Sequence, residues 1–399
     1  MNDLTQVCES SALAEKKPNE GARSSFAGMS DTRVVEPRLG KNKPPKRVGY
    51  LCEKIGSEEN VAAAVRDYCR GQRSHRKRKA ALRVWNERGK ELCDALKRGA
   101  WEPSPLRRFE HRDGLSGKTR IITSSSVADN IAQTAIVRVV EPVLYRSAWA
   151  HSCCNVKGKG IAHIVRYVKK VRADDALRER YAKAHGGKLP KREAKHFLKF
   201  DCSKFYASIS PELCERLLES RIKDKACIAQ IMRFVRQNEP NGLSIGGRMS
   251  HMLANFTGEK IVRALQDFGA RKIAVYMDDF VVFASSKAKL HAARRGAEFF
   301  MGGIGLAMKG NWFVSPWSAR GCDFCGYVFD GDGRVRIRKR IRLRIIRTLR
   351  RIATGKFSRR TARSFLSYWG YILTTKSFYL VRKYGGENFN LKRIKERAK

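Results

Sequence analysis

The stretch Val275–Phe283, VYMDDFVVF, sets two neighbouring aspartates, Asp278 and Asp279, inside a run of apolar and β-branched residues. Such a run predicts buried strand structure, and an unpaired charge in a buried strand loses much hydration energy. Adjacent carboxylates also repel each other unless a cation compensates them. The pair therefore predicts a hairpin that carries a functional site.

The net charge of the chain indicates a polyanionic partner. The 399 residues include 83 Lys and Arg against 38 Asp and Glu, which gives a formal net charge of +45. Such an excess is strongly self-repelling unless a polyanion such as nucleic acid compensates it. A solvated basic surface is the alternative interpretation, and it explains a charge of this size less well.

The sequence contains no signal for a membrane or for secretion. No run of eighteen or more apolar residues occurs, and residues 1–17 lack the apolar core of a signal peptide. The eleven cysteines form no regular framework, which suits a reducing compartment. We therefore expect a cytoplasmic protein that does not associate with membranes.

A third aspartate, Asp201, follows the apolar residues Phe197, Leu198 and Phe200 in FLKFDCSKFY. These residues predict a second buried strand that ends at a carboxylate. Mg²⁺ prefers oxygen ligands and is commonly bound by carboxylates together with substrate phosphates. Two such ions can stabilise the attacking and leaving oxygens of a phosphoryl transfer. The sequence predicts a site for two Mg²⁺ ions, with Mn²⁺ as an alternative, formed by Asp201, Asp278 and Asp279.

Over about residues 110–330 the sequence resembles the reverse transcriptases in the order of its motifs. Family members carry an Asp-x-x-x-Phe-[Phe/Tyr] block, a Gly-Leu-Pro-like loop ending in Ser and Ala-Asn, a Tyr-x-Asp-Asp hairpin and a Phe-x-Gly-Tyr block. Here these stand as DCSKFY (201–206), GLSIGGRMSHMLAN (242–255), YMDD (276–279) and FCGY (324–327). The resemblance implies an RNA-directed DNA polymerase with an α+β right-hand fold. Fingers and a palm with an antiparallel sheet would precede a small helical basic thumb.

The resemblance also implies a role for each matching position. The metal ligands would be Asp201, Asp278, Asp279 and the backbone carbonyl of Cys202. Lys309 would protonate the leaving pyrophosphate, and Tyr206 would exclude the 2′-hydroxyl of a ribonucleotide as a steric gate. Residues implied to contact the incoming dNTP are Lys118, Arg120, Cys202, Tyr206, Ile245 and Gly246. Residues implied to contact primer and template are Phe324, Gly326, Tyr327, Arg336, Arg338, Lys339 and Arg340.

Three segments are predicted along the chain. Residues 1–48 are a polar, basic leader that we expect to be disordered. Residues 49–333 would form fingers and palm, with helical periodicity to about Glu110 and a charged surface excursion at 173–195. Residues 334–399 would form the thumb, which begins with RVRIRKRIRLRIIRTLRR and passes from strand-like alternation into helical spacing.

The biological setting stays open between two alternatives. Ile245 stands where accurate reverse transcriptases carry a Gln that can hydrogen-bond the nucleotide. An aliphatic residue there resembles the error-prone enzymes of diversity-generating retroelements, but Ser244 and Ser250–His251 depart from that group. The alternative is a bacterial or phage antiphage-defence enzyme that makes templated, repetitive or protein-primed cDNA on a dedicated non-coding RNA.

The implied partners are the same in both settings. They are a structured RNA template, the RNA/DNA duplex and dNTPs, and the diversifying systems add a small basic or oligomeric accessory protein. A catalytically inert RNA-binding scaffold is a third interpretation. The intact Asp201, Asp278 and Asp279 argue against it, because an inactive site gains nothing from buried carboxylates.

Overall fold

The computed structural model describes residues 46–112, 117, 119–154, 156, 158–188, 193–387 and 389–398. The predicted leader therefore lies outside the described residues, apart from its last three positions. One of these, Val48, forms an isolated parallel β-bridge with Ile222. Its N–H donates to the Arg221 carbonyl oxygen at 2.9 Å. The chain is thus fixed to the folded protein from this point onwards.

The N-terminal part consists of helices and one hairpin. Its elements are α1 (Leu51–Ile55), α2 (Glu58–Gly71), α3 (His75–Lys97), β1 (Arg107–Arg112), β2 (Thr119–Ser124) and α4 (Val127–Leu144). The prediction of helical structure to about Glu110 is wrong beyond Lys97. Gly99 adopts a left-handed φ of 65° just after α3, and Glu110 lies in β1, paired with β2.

The central sheet contains four antiparallel strands in the order β4-β5-β3-β6. These strands are β3 (His196–Asp201), β4 (Lys272–Tyr276), β5 (Asp279–Ala284) and β6 (Phe313–Pro316). The helices around the sheet are α5 (Ile161–Ala184), α6 (Phe205–Ser208), α7 (Pro211–Glu219), α8 (Lys225–Arg236), α9 (Arg248–Asp267) and α10 (Lys287–Gly303).

Alternating side chains of β5 cover both faces of this sheet. Phe280 and Val282 pack in one core cluster with α9 and α10, whereas Val281 and Phe283 pack in another with α5. Full burial of such side chains stabilises the fold by about 1.5–3 kcal/mol each. Both faces are therefore apolar, which explains why the strand reads as a continuous apolar run in the sequence.

The predicted surface excursion at 173–195 is partly helical. Helix α5 continues through it to Ala184, and the buried Asp175 binds the returning chain. Its two carboxylate oxygens accept hydrogen bonds from the backbone N–H groups of Glu193 and Ala194, at 3.0 and 2.9 Å. The start and end of the excursion are thus joined at one buried carboxylate.

The C-terminal part begins with a three-stranded antiparallel sheet and ends with helices. Its elements are β7 (Cys322–Phe324), β8 (Tyr327–Phe329), β9 (Val335–Ile337), α11 (Lys339–Ala353), α12 (Arg359–Thr375), α13 (Tyr379–Tyr384) and α14 (Leu391–Ala398). The predicted thumb boundary at residue 334 separates β9 from β8, with which it pairs. In α11, Ile341, Ile345 and Leu349 are buried, and their spacing of four residues places the basic side chains on the other faces.

The α+β fold class is confirmed by this combination of helices and antiparallel sheets. Within the described residues, none of the helices has the length and apolar character needed to cross a bilayer.

Candidate active site

The aspartates predicted from the sequence meet at one end of the central sheet. Asp201 and Asp279 lie opposite each other in the register of β3 and β5. Tyr276 pairs with Asp279 across the β4–β5 hairpin, so Met277 and Asp278 form its turn. Met277 has a left-handed φ of 59°, which costs a residue with a side chain about 1–2 kcal/mol. The fold therefore maintains a strained turn where it presents Asp278.

Backbone hydrogen bonds place two more predicted residues at the same end. The N–H of Cys202 donates to the Asp278 carbonyl oxygen at 3.0 Å, which joins the turn to the end of β3. The N–H of Lys309 donates to the Asp201 carbonyl oxygen at 2.9 Å. The Nζ atom of Lys309 then lies 3.3 Å from Asp201 Oδ2. The structure thus brings together all four residues predicted to be catalytic.

A second lysine, Lys199, was missed by the sequence analysis. Its Nζ atom lies 3.2 Å from Asp279 Oδ2 and donates to the Asp323 carbonyl oxygen at 2.5 Å. Lys199 precedes Asp201 by two residues in β3, so both side chains lie on one face of the strand. A cation inside the apolar run FLKF is as unusual as the aspartate pair, and this signal could have identified it.

Burial shifts the pKa values of the two adjacent aspartates. It raises the pKa of Asp279 to about 7, although the neighbouring Lys199 ammonium acts in the opposite direction. Burial also raises the pKa of Asp278, and Lys309 again opposes the shift. The Asp279 carboxyl group therefore needs further positive charge to be fully ionised at neutral pH, and burial disfavours the ionised form of Asp278 as well.

The chemistry of these ligands fits Mg²⁺. The site offers carboxylate oxygens, which Mg²⁺ prefers, and Asp279 Oδ1 is buried without a hydrogen-bond partner. Among the described residues, no three His, Cys, Asp or Glu side chains lie together in the arrangement of a metal site. Substrate phosphates commonly supply further ligands to protein-bound Mg²⁺.

Tyr206 is held beside this end of the sheet by hydrogen bonds at both of its ends. Its backbone carbonyl oxygen accepts from the N–H of Leu243 at 2.8 Å. Its hydroxyl group lies 2.7 Å from Nδ1 of His251, on α9. Because burial lowers the pKa of His251, the neutral imidazole can accept this hydrogen bond. The ring of the predicted steric gate is therefore fixed in orientation.

The loop that precedes α9 is attached to the N-terminal hairpin. The Ile245 carbonyl oxygen accepts from the N–H of Thr123, on β2, at 2.9 Å. Gly246 has a left-handed φ of 123°, and a Cβ atom there would lie 2.7 Å from the Thr123 carbonyl oxygen. Arg120 lies on the same strand, and its charge, like that of Lys309, opposes the burial that raises the pKa of Asp278. The predicted partner of Arg120, Lys118, lies outside the described residues.

Comparison with known proteins assigns the family. Residues 110–311 match the model of the family described as reverse transcriptase (RNA-dependent DNA polymerase), which spans 202 of the 399 residues. The chain belongs to the reverse transcriptase family. The predicted enzyme class, an RNA-directed DNA polymerase, and the right-hand polymerase fold are therefore confirmed at the level of the family.

One solved structure resembles part of the reverse transcriptase. It is telomerase from Candida albicans in complex with a TWJ fragment of telomeric RNA, with a TM-score of 0.43 and 12% identity. The alignment covers 71% of this chain and 55% of the telomerase chain. This chain therefore spans about half the length of the telomerase. No curated protein sequence matches the chain.

The β7–β8 hairpin of the reverse transcriptase contains three of the residues predicted to contact the primer. Phe324 and Tyr327 are buried, so the backbone is the accessible part of these two residues. Cys325 and Gly326 form its turn, both with left-handed φ values, of 50° and 85°. A Cβ atom on Gly326 would lie 2.8 Å from the Tyr371 hydroxyl oxygen, so the turn packs closely on α12.

The four predicted basic contacts after this hairpin fall into two pairs. Arg336 binds both carboxylate oxygens of Asp330, and Arg338 donates from Nε to Asp323 Oδ1 at 2.7 Å. Lys339 and Arg340 are exposed at the start of α11. The structure therefore leaves Lys339 and Arg340 facing solvent, while Arg336 and Arg338 stabilise the sheet that contains the hairpin.

Proposed function

We propose that this reverse transcriptase copies a structured RNA into cDNA by phosphoryl transfer assisted by two Mg²⁺ ions. Asp201, Asp278, Asp279 and the Cys202 carbonyl oxygen would hold the ions. The observation that carries this proposal is the pairing of Asp201 with Asp279 beside the turn that presents Asp278. The dNTP, the RNA template and the RNA/DNA duplex are the substrates and partners that this chemistry requires.

The residues around the carboxylates have distinct roles in this proposal. When bound, the Mg²⁺ ions supply charge stabilisation to the attacking and leaving oxygens. Lys309, whose Nζ atom lies 3.3 Å from Asp201 Oδ2, would donate a proton to the leaving pyrophosphate. Lys199 keeps Asp279 in one orientation, and Arg120 adds positive charge on the side of the dNTP phosphates.

We propose error-prone copying in a diversity-generating retroelement as the biological setting. The support is Ile245, whose backbone carbonyl is bonded to Thr123 and whose side chain has no group that could hydrogen-bond a nucleotide. A bacterial or phage antiphage-defence enzyme is the second candidate, favoured by the departures at Ser244 and His251. An accessory protein, small and basic or oligomeric, belongs to the first candidate.

Sequencing the reaction products tests this function. The purified protein, with the RNA that co-purifies, would receive Mg²⁺ and all four dNTPs, and the DNA products would be deep-sequenced. Metal-dependent cDNA that maps to one RNA with many substitutions supports diversification. Accurate, repetitive or template-free products support defence, whereas the absence of any DNA would refute the polymerase proposal.

The Tyr206–His251 pair provides a separate test of the steric gate. Tyr206→Val should raise the use of ribonucleotides relative to deoxynucleotides by about tenfold to a hundredfold, since the ring that would occupy the place of the 2′-hydroxyl is lost. Tyr206→Phe and His251→Ala should each raise it about fivefold, because both lose the same hydrogen bond. The measurement is the ratio of kcat/KM for GTP and dGTP.

The matched control for the gate is His251→Gln, which keeps a hydrogen-bonding group near the Tyr206 hydroxyl. We expect its ribonucleotide use to stay closer to wild type than that of His251→Ala. If the effects of Tyr206→Phe and His251→Ala simply add in the double variant, the two residues do not act through their shared hydrogen bond.

A further inference from the structure

Helix α5 has one face that the proposed reaction does not use. Its 24 residues give it a length of about 36 Å. The inner face, with Val165, Val168 and Val171, packs in the core cluster that contains Val281 and Phe283 of β5. The helix therefore lies on the central sheet and leaves its opposite face in solvent.

The charges of α5 are segregated between these two faces. Five cationic side chains are exposed: Arg166, Lys169, Lys170, Arg180 and Lys183. The three acidic residues of the helix, Asp174, Asp175 and Glu179, are buried or half-buried. The exposed residues that the structure describes on this helix therefore include no carboxylate, which favours contact with a polyanion.

An exposed aromatic group lies among these cations. Tyr181 is 66% exposed and stacks on His185, with 4.1 Å between the ring centroids. Leu177, one helical turn earlier, is 67% exposed. Proteins that bind single-stranded nucleic acid combine a basic surface with aromatic rings on which bases stack. A solvated helix face would gain nothing from two large exposed apolar side chains.

We propose that this face binds single-stranded RNA outside the active site. The cations would contact phosphates, and Tyr181, already stacked on His185, would receive an unpaired base. The hydrogen bonds that Asp175 accepts hold this part of the helix against the returning chain. The proposal rests on the proposed function in one respect. It takes the natural ligand to be the part of the template RNA that is not being copied.

The test measures RNA binding while the active site is filled. Binding of poly(A) RNA is measured in the presence of excess short RNA/DNA duplex, for the wild type and for a variant with Gln at Lys169, Lys170, Arg180 and Lys183. We expect at least tenfold weaker binding than wild type, and a salt slope lower by about three, since each lost contact to a single strand contributes about 0.7. Tyr181→Ala should weaken poly(A) binding about tenfold and leave a double-stranded RNA hairpin unaffected.

The matched control removes four exposed lysines from other elements. These are Lys223, Lys225, Lys287 and Lys289, each replaced by Gln. Equal losses in the control and in the α5 variant, or wild-type binding by the α5 variant, would overturn the proposal. Unchanged RNA binding with lost binding of polyglutamate would assign the face to an acidic protein and would also overturn it.

A separate reaction distinguishes this proposal from the proposed function. Extension of a short annealed primer on RNA should proceed in the α5 variant at the wild-type rate, because the exposed face of α5 is not part of the polymerase site. If the wild type cannot extend that primer, the proposed function fails. The RNA-binding difference between wild type and variant still decides the α5 proposal in that case.

Discussion

Asp279→Asn should reduce cDNA synthesis by about a thousandfold or more, because losing a charged ligand of the proposed Mg²⁺ site would remove several kcal/mol of stabilisation from the transition state. Asparagine has nearly the same shape as aspartate but carries no charge. The Cα partner of residue 279 is Asp201, and the turn with Asp278 is held by backbone groups, so the hairpin should persist. The measurement is primer extension on an RNA template with Mg²⁺.

The stability of this variant separates loss of metal binding from loss of folding. The pKa of Asp279 is raised by burial to about 7, from an ordinary value of 3.8. Because the carboxyl pKa is raised in the folded state, this group contributes most to stability below about pH 4. Its contribution is lost as the pH rises through 7, where the buried group ionises. Asn mimics the neutral form and leaves the Lys199 ammonium its hydrogen bond to the Asp323 carbonyl oxygen, so the variant should unfold at pH 8 without metal at the same or a higher Tm.

Added Mg²⁺ provides a readout that does not depend on activity. It should raise the Tm of the wild type, because an ion that binds only the folded state stabilises it, and should raise that of Asp279→Asn much less. Asp332→Asn, at an exposed aspartate, is the matched control and should behave as wild type. An active variant, or one that keeps the full Mg²⁺ effect on Tm, would contradict the assignment of Asp279.

The aspartates proposed to hold the metal ions could be identified from the sequence because their signal is local. A carboxylate in an apolar run has to be compensated, and this argument needs only the neighbours of Asp201 and Asp279 in the sequence. Lys199 in FLKFD is likewise a charge in an apolar run, but the strand pattern alone does not show which residue the lysine contacts. The register of β3 and β5, a long-range property, supplies that partner.

Contacts between distant segments account for most of what the sequence did not indicate. Tyr206 and His251 are 45 residues apart, and only the packing of α6 against α9 brings their polar atoms together. Strand β1 was missed because every one of its residues is exposed, so it lacks the apolar alternation by which strands are recognised. The Tyr327 ring likewise packs against a residue that follows much later in the chain, Tyr371 of α12, with 4.9 Å between the ring centroids.

Lys199→Met should destabilise the metal-free protein by about 2 kcal/mol at pH 8. Removing one partner of a buried ion pair costs about 3–5 kcal/mol. The side chains of Lys199 and Asp279 are 17% and 23% exposed, so water should reduce this cost. Methionine keeps the length and apolar stem of lysine, and the loss should therefore come from the charge. Denaturant unfolding measures the difference, and Lys195→Met, at an exposed lysine close by in the chain, is the matched control.

The pH dependence and a double variant identify the cause of this loss. Lys199 stabilises the ionised form of Asp279, whose pKa is about 7, so the destabilisation should shrink as the pH falls below that value. The Asp279→Asn, Lys199→Met double variant removes both charges and should be more stable at pH 8 than Lys199→Met alone. A loss that is independent of pH and additive with Asp279→Asn would show that Lys199 acts only by packing.

Lys199→Met should also lower the kcat for primer extension. The Lys199 ammonium bridges Asp279 to the Asp323 carbonyl oxygen, and Asp323 in turn binds Arg338 just before α11. Lys199→Met breaks this connection, so the hairpin at Gly326 is no longer held at a fixed position relative to the carboxylates. We expect kcat for primer extension to fall about tenfold, in line with misplacement of a reacting end. A change confined to KM for dNTP would place the role of Lys199 in nucleotide binding instead.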